Sequence, residues 1–199
     1  MNPHLFCALG VIDHIRLEAL EVLKREHKLP ALILLYAFID ICSSLAAEKK
    51  NQNNQERFVY ALKKYVLGGW DDYTPYDLWA ARCSLLHAYS PIGDHAQKKE
   101  NRAKPIFYYI YPETEEQFRT EVAALEYTDF LVLDMMDLKI IANDVFNGIL
   151  IRAKEDSAFA AICLKNAEHI LKDMRYIQLE KELNIIQDMT QDGGQKNEG

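Results

Sequence analysis

The chain has 199 residues, 49% of them hydrophobic and 27% charged, with a formal net charge of −7. That length and apolar content suit one domain with a real core and exclude a disordered protein, while the acidic balance argues against a general nucleic-acid coat. No run approaches the roughly 20 apolar residues that span a bilayer, and Met1-Asn2-Pro3-His4 lacks a basic, signal-type start, so the reading is a cytoplasmic protein with no membrane partner.

The charge is unevenly placed. Lys and Arg against Asp and Glu number 4 and 5 in residues 1–44, 10 and 7 in residues 45–104, and 9 and 18 in residues 105–199. Only the middle block has a basic excess. Cys7, Cys42, Cys83 and Cys163 are far apart within apolar helical patterns and form no C-x-x-C pair, which suits reduced packing residues better than a disulfide or zinc framework.

In chain order, Leu5, Leu9, Ile12, Ile15, Leu20 and Leu23 repeat at helical spacing and predict one amphipathic helix over 5–28. Pro30 opens a second helix, apolar on nearly every side from Ala31 to Ala47, and its one charge is Asp40. A lone buried carboxylate costs several kcal/mol or takes up a proton, so a cationic partner is required. Phe58, Ala61, Leu62, Tyr65 and Val66 predict a third helix, closed by Gly68-Gly69. Thr74 and Pro75 then read as the cap and first turn of a fourth, which runs to the helix-stopping Pro91.

That fourth helix carries Arg82, whose neighbours three and four residues away are Leu78, Trp79, Leu85 and Leu86. A guanidinium on an apolar stripe cannot shed its proton and must meet an anion or reach water. Asp40, the other isolated charge on an apolar helix, is the natural partner. His87 lies five residues on, about 140° around the helix, and Tyr89 returns to nearly the face of Arg82.

Residues 91–104 are polar and basic, with Lys98, Lys99, Arg102 and Lys104, and read as an exposed loop. Ile106–Tyr111, β-branched and aromatic between two prolines, predicts a strand. Phe130–Leu133 is its candidate partner and can equally open the helix that follows. Between them Glu113–Leu125 reads as a helix with Thr114 and Gln117 as a capping box. Helical patterns resume after Asp137, break near 154–157 and fade through Leu183 and Ile186. The fold class is therefore mainly α: an antiparallel four-helix bundle with extra C-terminal helices and a short β element. Residues 1–92 form the bundle core, 93–189 a strand-containing insertion and further helices of the same domain, and 190–199 a disordered tail.

No histidine has metal-ligand spacing, and neither a metal nor a cofactor is expected. Ser84 beside His87 lacks the glycine-supported turn of an acyl-transfer nucleophile. Arginine and histidine together suit a different reaction. Cleavage of an RNA phosphodiester through its 2′-hydroxyl needs a proton carrier near neutral pH and a fixed cation on the phosphorane oxygens. Because the two side chains diverge along one helix, a second copy, admitted by the small residues Ala80, Ala81, Ser84 and Ala88, would complete the site in a homodimer.

Arg82-Cys83-Ser84-Leu85-Leu86-His87 matches the R-x4-H signature of the HEPN superfamily, and Ala88-Tyr89 extends it to the R-x4-H-x-Y form of HEPN toxins paired with nucleotidyltransferase antitoxins. The acid-bearing helix around Asp40 also resembles HEPN domains, and the rest of the chain looks like a plasmid or mobile-element branch. The resemblance implies a dimeric, metal-independent endoribonuclease of toxin–antitoxin or other defence systems. In it Arg82 would stabilise the scissile phosphate and His87 act as acid and base. Tyr89, Asp40 and Ser84 would support the site, or Tyr89 accept AMP from a nucleotidyltransferase partner, while Lys98, Lys99, Arg102 and Lys104 contact RNA. Cys83 stands where active members usually carry Asn, Asp or His, which leaves open a catalytically inactive dimeric module binding a nucleotide or a partner protein.

Overall fold

The computed structural model describes residues 2–49, 51–68, 70, 72–88, 103–110 and 113–172. Within them the chain is mainly helical, with one small two-stranded sheet. Helix α1 (Pro3–Lys24) is capped by the Asn2 side chain, which accepts from the His4 amide, with proline at the first position where no amide is needed. It ends at Arg25, and Glu26 takes a left-handed backbone (φ 61°) that turns the chain within three residues.

Helix α2 (Lys28–Leu45) carries Pro30 in its first turn and packs against α1, α3 (Asn54–Tyr65), α4 (Pro75–Ala88) and α6 (Met135–Glu155). Tyr36, Phe38 and Ile39 are fully buried, each contributing about 1.5–3 kcal/mol of apolar burial. Against the expectation that no run is apolar enough to span a bilayer, α2 is by length and composition long and apolar enough to do so, and half of it is buried inside the fold. Helix α6 also lies against α3, so the core draws on both parts of the chain.

The predicted box of Thr114 and Gln117 is formed on α5 (Glu115–Ala124), and a reciprocal box that the sequence reading did not single out, Asn53 with Glu56, opens α3. At α4, Thr74 Oγ1 accepts from the Asp77 amide while Asp77 Oδ2 accepts from the Thr74 amide and hydroxyl. Asp77 is buried, and its other oxygen accepts from the Lys104 amide at 2.9 Å, so one carboxylate caps α4 and pins the chain entering the sheet.

Strand β1 (Ile106–Tyr109) pairs with β2 (Leu131–Asp134), Ile106 opposite Leu131. The pairing is parallel, with α5 in the crossover, because a helix between two neighbouring strands returns the chain in the same direction. Of the two alternatives for 130–133 the strand is the one formed: β2 runs to Asp134, which caps α6, and the helix opens only at Met135. The Tyr108 hydroxyl meets the Tyr36 hydroxyl at 2.5 Å and ties the sheet to α2.

Residues 157–172 form α7, capped by Asp156, whose side chain accepts from the Phe159 amide. Asn166 donates to the carbonyls of Leu45 and Ala47, fastening α7 to the end of α2. Cys42, Cys83 and Cys163 are buried, as the sequence suggests, whereas Cys7 is exposed on α1. Tyr89, Lys98, Lys99, Arg102, the helix stop at Pro91 and the tail 190–199 lie outside the described residues.

Two glycines test the packing in opposite directions. A Cβ on Gly148 of α6 would stand 2.6 Å from Tyr65 Cδ1 and 2.9 Å from Tyr65 Cβ, whereas one on Gly10 of α1 meets nothing within 4 Å. Urea denaturation should show Gly10→Ala stabilised by about 0.5–1 kcal/mol from helix propensity alone. Gly148→Ala should instead be destabilised by about 1–3 kcal/mol, because the clash outweighs the same gain.

Candidate functional site

Asp40 sits two-thirds of the way along α2 and Arg82 midway along α4, so their meeting depends on how these helices pack. Arg82 Nε donates to Asp40 Oδ2 at 2.6 Å, and its Nη2 reaches the same oxygen. The side chains are 16% and 22% exposed, so the pair is largely but not wholly withdrawn from water. Burial raises the Asp40 carboxyl above its ordinary value, and the hydrogen-bonded Arg82 guanidinium offsets only part of that rise. Arg57, on α3, is a second cation within range of the carboxylate.

The guanidinium also lies over the Trp79 ring, 5.1 Å from its centroid, and Trp79 packs on Phe58 at 5.4 Å. Carboxylate and indole thus hold Arg82 from two sides. The arrangement supplies a fixed cation without a rotamer search. The guanidinium has five N–H donors, and Asp40 engages two of its nitrogens.

The other predicted residues are placed unequally. Ser84 is buried and its hydroxyl donates to the Ala80 carbonyl one turn back at 2.9 Å, so it serves the helix rather than a ligand. Cys83 is buried as well, and burial pushes its thiol up, away from thiolate chemistry. His87 falls in the last turn of α4, about 7.5 Å along the axis from Arg82. Lys104 pairs with Asp129 at 2.7 Å, and its amide is held by Asp77, which commits it to the approach to the sheet.

Asp40 opens onto a small polar cavity of about 150 Å³ shared with Ser43, Asn54 and Arg57. Ser44, Arg57 and Ile170 also line a larger cavity of about 400 Å³, walled by Glu48, Lys49, Lys165 and His169. Sequence reasoning missed Arg57, Lys49 and Lys165, which lie on three separate elements. His169 was set aside there for want of metal-ligand spacing. Among the described residues no group of three or more His, Cys, Asp or Glu side chains is arranged to hold a metal ion.

Glu48, on the cavity wall, accepts from Arg152 at 2.5 Å and from Lys64 at 3.2 Å. The Arg152 hydrogen bond chiefly, and Lys64 after it, outweigh partial burial and bring its carboxyl down to about 2. Arg152 in turn lies 3.9 Å from the centroid of the Phe159 ring, so the network joins α6, α7 and the segment after α2.

Comparison of the chain with protein-family models, curated proteins and solved structures returns no match.

Because the Glu48 carboxyl titrates lower in the folded chain than in the unfolded one, its stabilising contribution is complete above the unfolded value near 4.5 and is lost as pH falls toward 2. Glu48→Gln should therefore lower stability by about 1 kcal/mol at neutral pH, a modest figure for a partly exposed cluster. The deficit relative to the parent should shrink steadily in urea titrations between pH 4.5 and pH 2.

Proposed function

We propose that the chain is a metal-independent endoribonuclease of the HEPN type, acting as a homodimer in a toxin or defence system, with RNA as its substrate. The observation that carries this reading is the Arg82 guanidinium, fixed by Asp40 and Trp79 one and a half helical turns before His87. The R-x4-H-x-Y pattern of Arg82, His87 and Tyr89 supports it from the sequence.

In this reaction the 2′-hydroxyl oxygen forms a bond to phosphorus as a histidine takes its proton. The bond from phosphorus to the 5′-oxygen breaks, and a histidine returns a proton to that oxygen. Arg82 neutralises charge on the non-bridging oxygens as it builds. The products are a 2′,3′-cyclic phosphate and a 5′-hydroxyl. Two copies of α4 side by side would supply both histidines, one as base and one as acid. A nucleotidyltransferase antitoxin that modifies Tyr89 would silence such a site.

A second reading is an inactive dimeric module that binds a nucleotide or a partner protein. It is favoured by the engagement of two Arg82 nitrogens on Asp40 and by the buried Cys83 beside it.

Purified protein incubated with single-stranded RNA in EDTA should release fragments ending in 2′,3′-cyclic phosphate. His87→Ala should slow cleavage about 10²–10⁴-fold, and Arg82→Ala about 10²–10³-fold. Equal rates in both variants and the parent would exclude the ribonuclease. No cleavage by the parent, with a lowered unfolding midpoint in Arg82→Ala and Asp40→Asn, would select the inactive module.

A further inference from the structure

The charges around the larger cavity do not cancel. Its own acid, Glu48, is already matched by Arg152 and Lys64, and Asp40 in the adjoining cavity is matched by Arg82. What remains is Lys49, Arg57 and Lys165, for which no ion pair is formed among the described residues, together with His169. Lys165 and His169 are four residues apart on α7 and therefore share a face, which the Asn166 bonds to α2 hold against the cavity. Arg57 Nη2 is bonded to Asn54, but its Nε is buried without a hydrogen-bond partner among the described residues. The Arg57 side chain lines both the larger and the adjoining cavity, so an anion in either would lie against its charge.

Lys49 turns the corner into a third cavity of about 610 Å³, lined by Gln52, Gln55, Tyr60, Lys63, Tyr76 and one acid, Glu56, whose carboxylate accepts from the Asn53 amide. Its chemistry differs. Tyr60 and Tyr76 are 37% and 40% exposed, large for aromatic rings on a folded domain, and Lys63 lies 4.9 Å from the Tyr76 ring centroid. Side-chain amides and aromatic faces alternating with lysines offer stacking and hydrogen bonding to bases, while the neighbouring cavity offers cations to phosphates. A simple inorganic anion would have no use for the second set.

We propose that the three adjoining cavities form a track for single-stranded RNA, in which Arg57, Lys49 and Lys165 hold backbone phosphates and Tyr76 stacks a base. The track leads along α3 to Asp40 and the Arg82 beside it. It rests on the ribonuclease reading for the identity of the strand, and it places substrate binding on α3 and α7, away from the basic loop that the sequence suggests.

The test uses full-length His87→Ala, which separates binding from cleavage, and a fluorescein-labelled oligouridine of about 12 nucleotides. Anisotropy should report binding whose log affinity falls with log salt at a slope of about −2, from three cations at about 0.7 each. Arg57→Ala and Lys165→Ala should each weaken it about tenfold and flatten the slope by about 0.7. Tyr76→Ala should weaken RNA binding about tenfold without changing competition by inorganic phosphate. Arg25→Ala, at the end of α1, should change nothing, and Lys165→Glu on the exposed face of α7 keeps the test decisive if Arg57→Ala does not fold. Unaltered RNA binding in the Arg57, Lys165 and Tyr76 variants overturns the track while leaving cleavage by the parent intact. Loss with the cations but not with Tyr76→Ala reduces it to an anion pocket and overturns it too. Binding that behaves as expected beside a parent that cleaves no RNA keeps the track and removes the ribonuclease. Absence of both binding and cleavage removes both.

Discussion

The ion pair between Asp40 and Arg82 sets the terms for the rest of the molecule. Each charge stands on an apolar stretch of its helix, and neither is well tolerated where it is largely withdrawn from water without the other. Meeting this requirement fixes how α4 lies against α2. The position of α4 then fixes Trp79 on Phe58, and with it the contact between α4 and α3. Asp77 at the start of the same helix holds Lys104 and so the entrance to the sheet. A substitution at Arg82 therefore reaches beyond any chemistry it performs, and structural and catalytic roles must be separated by a readout that stability does not move.

A second constraint shapes the polar side of the fold. α7 returns along the end of α2 because Asn166 satisfies the carbonyls of Leu45 and Ala47, which the helix end leaves without amide partners. That attachment brings Lys165 and His169 opposite Arg57 and Lys49. Glu48 sits among these cations but is spent on Arg152 and Lys64, so the cleft keeps a positive balance within a chain of net charge −7. Overall acidity is thus a poor guide to what this surface attracts.

The sequence made the paired charges legible because burial leaves so few solutions for a lone Asp40 and a lone Arg82. Local chemistry was equally readable: Thr74 before Pro75, the Thr114 and Gln117 box, and the aromatic run at Ile106 each carry their own physical signature. Direction in the sheet was readable from the helix predicted between the two strands, which implies a parallel pair, rather than from the strands' own short pattern. Arg57, Lys49 and Lys165 escaped notice. Each lies on the polar side of an ordinary amphipathic segment, and only tertiary packing brings them together. Lys104 shows the converse: it belongs to a conspicuous basic run but is committed to Asp129. Ser84 was open to a better reading, because a serine within a helix readily returns its hydroxyl to the carbonyl four residues back.

The most direct test of this account is the coupling free energy between Asp40 and Arg82, obtained by urea unfolding of Asp40→Asn, Arg82→Met and the double variant at neutral pH. Because the side chains are 16% and 22% exposed, each single variant should lose about 2–3 kcal/mol, below the range for a fully buried pair. The double variant should lose less than the sum, giving a coupling of about 1–3 kcal/mol. Additive losses, with no coupling, would contradict the claim that this pair fixes α4 against α2.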